Sequence, residues 1–227
     1  VNTSGDVNVS GVVLNRGGKL VVDNTGSGVL IASTGLMDNN DDELIITNTG
    51  VKGVNIENGG SVLNATDSVN INNTGLNGIN VKGLVSAHDI NINNKNSNVV
   101  IGDKTGKNYL TSSGNVNIDI NNGNLLNYGT NANLIKASKD LNIKVTNGAI
   151  GQEGGPCDGG VCTGIGPEAR DLTKSVNIAV DGKVNAVSSK GSNESLVNSS
   201  SSPTTSSDTC IFPNSMLLAA RILTALP

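Results

Sequence analysis

The stretch V-N-I-D-I-N-N-G, Val116 to Gly123, carries the pattern that decides the fold. Apolar and polar residues alternate in it with a period of two, which is typical of a β-strand with one buried face, and the Asn-Asn-Gly that follows indicates a turn. The same element, an apolar residue, usually Asn, and a second apolar residue, occurs eight times. The occurrences begin at Val7, Leu20, Leu44, Val69, Ile90, Val116, Leu141 and Val176.

Most of these elements follow one another at intervals close to 25 residues. The last interval, from Leu141 to Val176, is 35 residues and becomes 25 if ten residues around Cys157 and Cys162 are an insertion. Further short apolar pieces give each period two or three strands. Because one such unit cannot bury its apolar side alone, the repeat predicts stacked coils. We therefore predict an all-β, right-handed parallel β-helix of about eight coils of about 25 residues.

The pattern divides the chain into three parts. Residues 1–193 are the predicted β-helix, with a loop insertion near 152–168, and residues 194–209 are a Ser/Thr-rich linker. Residues 210–227 form a short apolar segment, a possible helix that caps the solenoid, docks on a partner or is foreign to the chain. Val1 lies within the repeat and no targeting segment is visible, so we expect a piece of a longer protein.

The composition predicts a narrow aliphatic core. The chain has one Phe, two Tyr and no Trp, and its hydrophobic fraction of 36% is mostly Val, Ile, Leu and Ala. A net charge of −4 provides no basic stripe, so nucleic acid is an unfavourable partner. No apolar run reaches the ~20 residues of a membrane-spanning helix. We expect no cofactor.

Asparagine recurs at the outward position between the two apolar residues of the element. The residues predicted to form a hydrogen-bonded ladder are Asn70, Asn91, Asn117, Asn142 and Asn177. A second column is predicted to point inward at the turn, with Asn24, Asn48, Asn73 and Asn94 followed by Ile120, Val145 and Val180. The alternative for the inward column is that its Asn residues only supply turns.

Cys157 and Cys162 bracket the sequence C-D-G-G-V-C within the predicted insertion. Two cysteines separated by two glycines and two further residues suit a small disulfide hairpin, which an exported protein permits. A metal site would need more ligands, and the only His, His88, is far away in the sequence. A disulfide is therefore favoured over a metal or redox site, and Cys210 is left without a partner.

The acidic run around residue 40 is the weaker candidate for a ligand site. Asp38, Asp41, Asp42 and Glu43 offer oxygen ligands suited to Ca²⁺, but the Gly and Glu positions of an EF-hand loop are missing, so a solvated turn is the default. His88 has no nucleophile motif near it. We therefore predict no catalytic residues.

Two stretches resemble a known class of repeats: L-I-K-A-S-K-D-L-N-I-K-V-T-N-G-A-I-G, Leu134 to Gly151, and Y-L-T-S-S-G-N-V-N-I-D-I-N-N-G, Tyr109 to Gly123. They are similar to repeats of filamentous-haemagglutinin-like exoproteins and related large bacterial β-helix adhesins. The resemblance covers roughly residues 1–190 and implies a right-handed β-helix, export and a role as an adhesin or stalk. The Asn-Pro-Asn motifs of the secretion domain of such exoproteins are not seen, and no functional residue carries over.

These observations predict a structural or adhesive segment of a secreted or cell-surface bacterial exoprotein. Loops on a rigid rod, above all the insertion between Cys157 and Cys162, would bind a cell-surface protein or glycan, further solenoid coils or copies of the chain itself. The alternative is a polysaccharide-degrading β-helix enzyme or a tailspike-like glycan-binding module, which clustered carboxylates in a cleft would favour. Ice binding ranks last, because the Thr residues form no regular rows.

Overall fold

The computed structural model describes residues 2–102, 109–127, 132–148, 152–153, 157–158, 161–162, 164–165 and 176–188. Within these ranges all regular elements are β-strands, and no helix is present. The predicted linker, residues 194–209, and the apolar segment, residues 210–227, lie outside the described residues. No helix that is long and apolar enough to cross a membrane occurs in the described ranges.

The strands form three parallel stacks, which we call faces 1, 2 and 3. Face 1 is the six-stranded sheet, made of β2 (Val7–Val9), β5 (Gly28–Ile31), β8 (Gly53–Ile56), β10 (Ile79–Val81), β12 (Val99–Ile101) and β15 (Leu125–Asn127). Face 2 contains β3 (Val12–Asn15), β6 (Leu36–Asn39), the first parts of β9 (Ser61–Asn73) and β11 (Leu84–Lys95), β13 (Leu110–Ser112), β16 (Ala132–Ala137) and β22 (Val176–Val180).

Face 3 contains β1 (Asn2–Thr3), β4 (Leu20–Asn24), β7 (Leu44–Asn48), the second parts of β9 and β11, β14 (Val116–Asn121), β17 (Leu141–Thr146) and β23 (Val184–Ser188). The chain passes from face 1 to face 2 to face 3 in each coil and then returns to face 1. In β9 and β11 the backbone turns the corner between faces 2 and 3 within one strand, and the pairing shifts register between Ala87 and Asp89. Faces 2 and 3 therefore belong to one 13-stranded sheet.

The predicted all-β parallel β-solenoid is confirmed, and its coil number differs slightly from the expected eight. Six strands stack in face 1, so about five turns connect them, while eight described strands stack in face 3. The eight elements of the sequence pattern do not all lie on one face. Val7 begins a strand of face 1 and Val176 a strand of face 2, whereas the elements between them lie on face 3.

The interval after Leu141 also differs from the expectation. Leu141 pairs with Val184 in the next coil of face 3, and the adjoining Asn142 and Asn185 are 43 residues apart. Removing ten residues would therefore not bring the strands on either side into a 25-residue period. The proposed insertion near 152–168 lies mostly outside the described residues. Its described parts are four two-residue strands: β18 (Gln152–Glu153), β19 (Cys157–Asp158), β20 (Val161–Cys162) and β21 (Gly164–Ile165).

The core is a narrow aliphatic column along the solenoid axis. In-register parallel pairing places equivalent apolar residues above one another, as in the fully buried series Leu44, Val69, Ile90, Val116 and Leu141 of face 3. β-branched and Leu side chains suit such stacks because each fills the same space as the residue in the next coil. The core is thus continuous from coil to coil. The outward-facing side chains of the strands are the ones that are available to contact other molecules.

Candidate binding face

A row of five asparagine side chains runs along the outer surface of face 3, one from each of five successive coils. The Nδ2 atom of each residue donates to the Oδ1 atom of the one before it at 2.8 Å, from Asn185 through Asn142, Asn117 and Asn91 to Asn70. We call this row the outer ladder. It exists because parallel strands in register bring identical side chains to the same height above the sheet, about 4.8 Å apart.

The outer ladder contains four of the residues predicted for it and one that was not. Asn177 lies on face 2, where its strand pairs with β16 and Asn177 aligns with Asn133. The prediction for Asn177 is therefore corrected, and Asn185 takes its place beside Asn142. The two residues have nearly the same local sequence, so only the pairing between coils distinguishes them.

The ladder leaves hydrogen-bonding capacity at the surface. An amide has two N–H donors and an oxygen that accepts two bonds. In the described part of the chain, Asn91, Asn117 and Asn142 each use one donor and one acceptor within the row. These three side chains are half-buried. The row therefore presents, in each of these three coils, a polar group that is already held in place and still able to donate and accept.

Two further columns lie beside the outer ladder on the same face. The nearer one contains Asn72, Asn93, Asp119 and Lys144; Asn93 donates to Asn72 at 2.9 Å, and the Lys144 Nζ atom lies 3.9 Å from the Asp119 Oδ2 atom. The second contains Thr74, Lys95, Asn121 and Thr146. Two shallow recesses follow these columns, and Asn93, Asp119 and Lys144 line both. We call this surface, with the outer ladder, the polar face.

The inward column predicted at the turn is present beneath one edge of the polar face. Asn24, Asn48, Asn73 and Asn94 are almost completely buried, and each of the first three donates to the Oδ1 atom of the next at 2.8 to 2.9 Å. Asn48 and Asn73 also donate to the backbone oxygens of nearby turns, at 2.8 and 3.1 Å. We call this column the inner ladder.

Hydrophobic residues replace the inner ladder in the later coils. Ile120 and Val145 follow Asn94 in the column, as predicted. The next residue is Ser188, which pairs with Val145. Val180 was expected there, but it pairs with Ala137 on face 2, so that part of the prediction is corrected.

At the opposite edge of the polar face, side-chain oxygens accept hydrogen bonds from backbone N–H groups of the next coil. Asp89 Oδ1 accepts from the Asn115 N–H at 2.6 Å, Asn115 Oδ1 from the Asp140 N–H at 3.1 Å, and Asp140 Oδ1 from the Lys183 N–H at 2.9 Å. Each bond connects one coil to the next. Sequence reasoning did not identify these bonds between coils.

A third ladder, which sequence reasoning missed, runs along an exposed turn. Asn96, Asn122 and Asn147 all adopt the left-handed conformation, with φ of 63°, 58° and 55°. Asn147 donates to Asn122 at 2.9 Å and Asn122 to Asn96 at 3.1 Å. Asn tolerates positive φ better than most residues, and Asn-Gly at two of the three positions was the available signal.

The acidic residues near position 40 are bound to different neighbours. Asp38 lies 3.2 Å from the Arg16 guanidinium, Asp41 Oδ2 accepts from the Gly18 N–H at 2.7 Å, and Glu43 lies 2.9 Å from Lys19. The Glu43 carboxylate raises the pKa of Lys19.

Asp42, the fourth acidic residue, accepts from the backbone N–H of Glu43 at 2.7 Å. Among the described residues no group of three or more His, Cys, Asp or Glu side chains is placed to hold a metal ion. Each of the four carboxylates is thus held by a different neighbouring group.

The two cysteines of the insertion are aligned by their backbone. Cys157 and Cys162 are cross-strand partners in the two-residue antiparallel pair of β19 and β20. That pairing brings their Cα atoms together, as a disulfide hairpin requires, and the bond itself stays a prediction. Cys210 lies outside the described residues. His88 is partly exposed, and its Nδ1 atom lies 3.2 Å from Asp89 Oδ2.

No family model, curated protein or solved structure matches this chain. Its fold and its ladders are consistent with the β-helix repeat proteins.

Proposed function

We propose that the chain is a structural or adhesive segment of a secreted or cell-surface bacterial exoprotein of the haemagglutinin-like kind, and that the polar face binds the surface of a host or neighbouring cell. The observation that carries this proposal is the outer ladder, a row of amides held at 2.8 Å spacing between donor and acceptor over five coils. The rest of the solenoid serves as the rod that displays it.

The ladder favours binding because its side chains are ordered before a partner arrives. Fixing a free polar side chain at an interface costs about 0.5–1.5 kcal/mol, and a hydrogen-bonded ladder has already lost that freedom. The backbone beneath is equally fixed, by parallel pairing on both sides of each inner strand. A partner with regularly spaced hydroxyl, amide or charged groups can therefore bind many weak positions at once.

The composition of the polar face supports binding over the rival enzymatic function. Glycoside hydrolysis requires a pair of carboxyl groups about 5–10 Å apart on either side of the scissile bond. Among the described residues that line the two recesses, the one carboxylate is Asp119, and it lies 3.9 Å from the ammonium of Lys144. Asparagine amides supply most of the remaining polar groups.

A binding assay with many copies of the chain tests the proposal. The purified chain is coupled to fluorescent beads, and the beads are incubated with bacterial and epithelial cells and with a glycan array. We expect wild-type beads to bind saturably. The double variant Asn117→Ala/Asn142→Ala, which removes the centre of the outer ladder, should bind at least about tenfold less, because two hydrogen-bonding groups of about 1 kcal/mol each are lost.

The matched control is Asn55→Ala/Asn80→Ala. These residues form the same kind of half-buried amide pair, at 2.9 Å, but on face 1. The control should bind like the wild type. If both double variants bound equally, the polar face would not be the binding surface. If wild-type beads bound none of the cells or glycans, the adhesive function would be refuted. Release of reducing ends from a polysaccharide would favour the enzyme instead.

A further inference from the structure

We infer that the partner of the polar face is a second copy of the same chain, packed face to face with its solenoid axis antiparallel. This inference rests on the proposed function, because it names the partner of the same surface. It predicts that cells displaying the chain adhere to one another. Two properties of the face support it: its charge pair and the direction of its ladder.

The charge pair is self-complementary. Asp119 and Lys144 occupy the same column in adjacent coils and are paired in register. Their side chains are 52% and 68% exposed, so both charges face solvent. Consider a two-fold axis that lies in the interface, runs parallel to the strands and passes between these two coils. Rotation about it reverses the order of the coils in the second copy, but each column of one copy still faces the same column of the other. Asp119 of one copy then lies opposite Lys144 of the other, and this happens twice in the symmetric pair.

The direction of the outer ladder fits the same symmetry. Each amide donates toward the preceding coil, so the N–H groups all point toward Asn70 and the oxygens toward Asn185. The side-chain dipoles therefore add along the row. The two-fold axis places two such rows opposite each other with their dipoles antiparallel, which is the attractive arrangement. The same axis places the unused N–H of Asn117 in one copy opposite the amide oxygen of Asn142 in the other, which can accept a second hydrogen bond.

The area of the polar face predicts that a single pair binds weakly. Five coils at about 4.8 Å and strands of about six residues at roughly 3.3 Å give a footprint on the order of 500 Å² per copy. A stable interface normally buries about 800 Å² per partner. Many copies on one surface are therefore needed for firm adhesion, and an assay must provide that avidity.

Charge exchange between beads tests the inference. Beads of two colours carry the full chain at equal density, and mixed clusters are counted by flow cytometry. Wild-type beads should cluster, and less so as salt is raised. Asp119→Lys beads and Lys144→Asp beads should each cluster at least about tenfold less with their own kind, because like charges then meet at both positions. Asp119→Lys beads mixed with Lys144→Asp beads should cluster again, because both positions become opposite-charge pairs.

The control variants carry the same charge changes away from the polar face. Asp6 and Lys52 form an exposed ion pair at 2.7 Å, and Asp6→Lys and Lys52→Asp should each cluster like the wild type. Circular dichroism should show that all variants are folded, since every substituted side chain is substantially exposed.

Failure of the two complementary variants to cluster together would overturn the inference, as would wild-type beads that stay dispersed or cluster only after a glycan is added. Such beads could still bind cells in the earlier assay. That result would leave the adhesive function standing while removing the second copy as the partner.

Discussion

Replacing Asn48 with alanine tests whether the buried amides are structural bonds of the solenoid. Asn48 is fully buried and makes three hydrogen bonds: it donates to Gly50 O at 2.8 Å and to Asn73 Oδ1 at 2.9 Å, and it accepts from Asn24 Nδ2 at 2.9 Å. Alanine removes all three. Because the site is fully buried, bulk water does not reach the groups that lose these bonds.

The expected loss of stability follows from which groups are left without a partner. Asn73 Oδ1 still accepts from the Gly75 N–H at 3.2 Å, and Gly50 O keeps a longer bond from the Gly53 N–H at 3.4 Å. The Nδ2 group of Asn24 loses its acceptor on Asn48 and is itself buried. A buried group without a partner costs about 1–3 kcal/mol, and the cavity adds to this, so we expect a total of about 3–5 kcal/mol.

Urea unfolding followed by circular dichroism measures the effect, with Asn142→Ala as the matched control. Asn142 has the same ladder contacts at 2.8 Å, but its row lies at the surface, where water can replace the lost bonds. We expect the control to lose about 1 kcal/mol. If the two variants lost equal stability within about 0.5 kcal/mol, the distinction between inner and outer ladder would be refuted.

Three further predictions concern the core, the start of strand β8 and the insertion. Ile143→Asp should destabilise by several kcal/mol, about 4 or more, because Ile143 is 2% exposed, whereas Asn142→Asp should change the melting temperature little; equal shifts would contradict the assignment of inward and outward positions. Gly53→Ala should cost about 3 kcal/mol in urea unfolding, because φ is +74° and a Cβ would lie 2.1 Å from Gly78 O, while Gly17→Ala, with nothing within 4 Å, should be neutral. Mass spectrometry of the oxidised protein should find Cys157 bonded to Cys162, with strand circular dichroism unchanged on reduction; two free thiols would refute this.

The repeat could be identified from the sequence because parallel pairing in register imposes the same residue types at the same height. The members of the outer ladder are 21, 26 and 25 residues apart from Asn70 to Asn142, and the strands nevertheless align residue by residue. Differences in coil length are absorbed in the turns between faces. Alternation within a strand therefore predicted the buried and exposed sides correctly.

The assignment of strands to faces could not be made from the same pattern. V-N-I-A-V at Val176 and V-N-A-V-S at Val184 both alternate as an outer strand should, yet the first pairs on face 2 and the second on face 3. All three faces bury one side of a strand, so local alternation does not distinguish them. The choice depends on which strand of the previous coil is still unpaired, and that is a property of the whole stack.

The inner ladder shows how one position can be filled by two chemistries and why a single exchange between them is unfavourable. Amides occupy it from Asn24 to Asn94, and aliphatic side chains occupy it at Ile120 and Val145; these six side chains are buried. In the first run the amides hydrogen-bond to one another, and in the second run the aliphatic side chains pack on one another. A lone aliphatic residue within the amide run leaves a buried donor unpaired, whereas replacing both partners together can be nearly neutral. Neighbouring coils must therefore change together, so the residue type at this position is set by the coils above and below it.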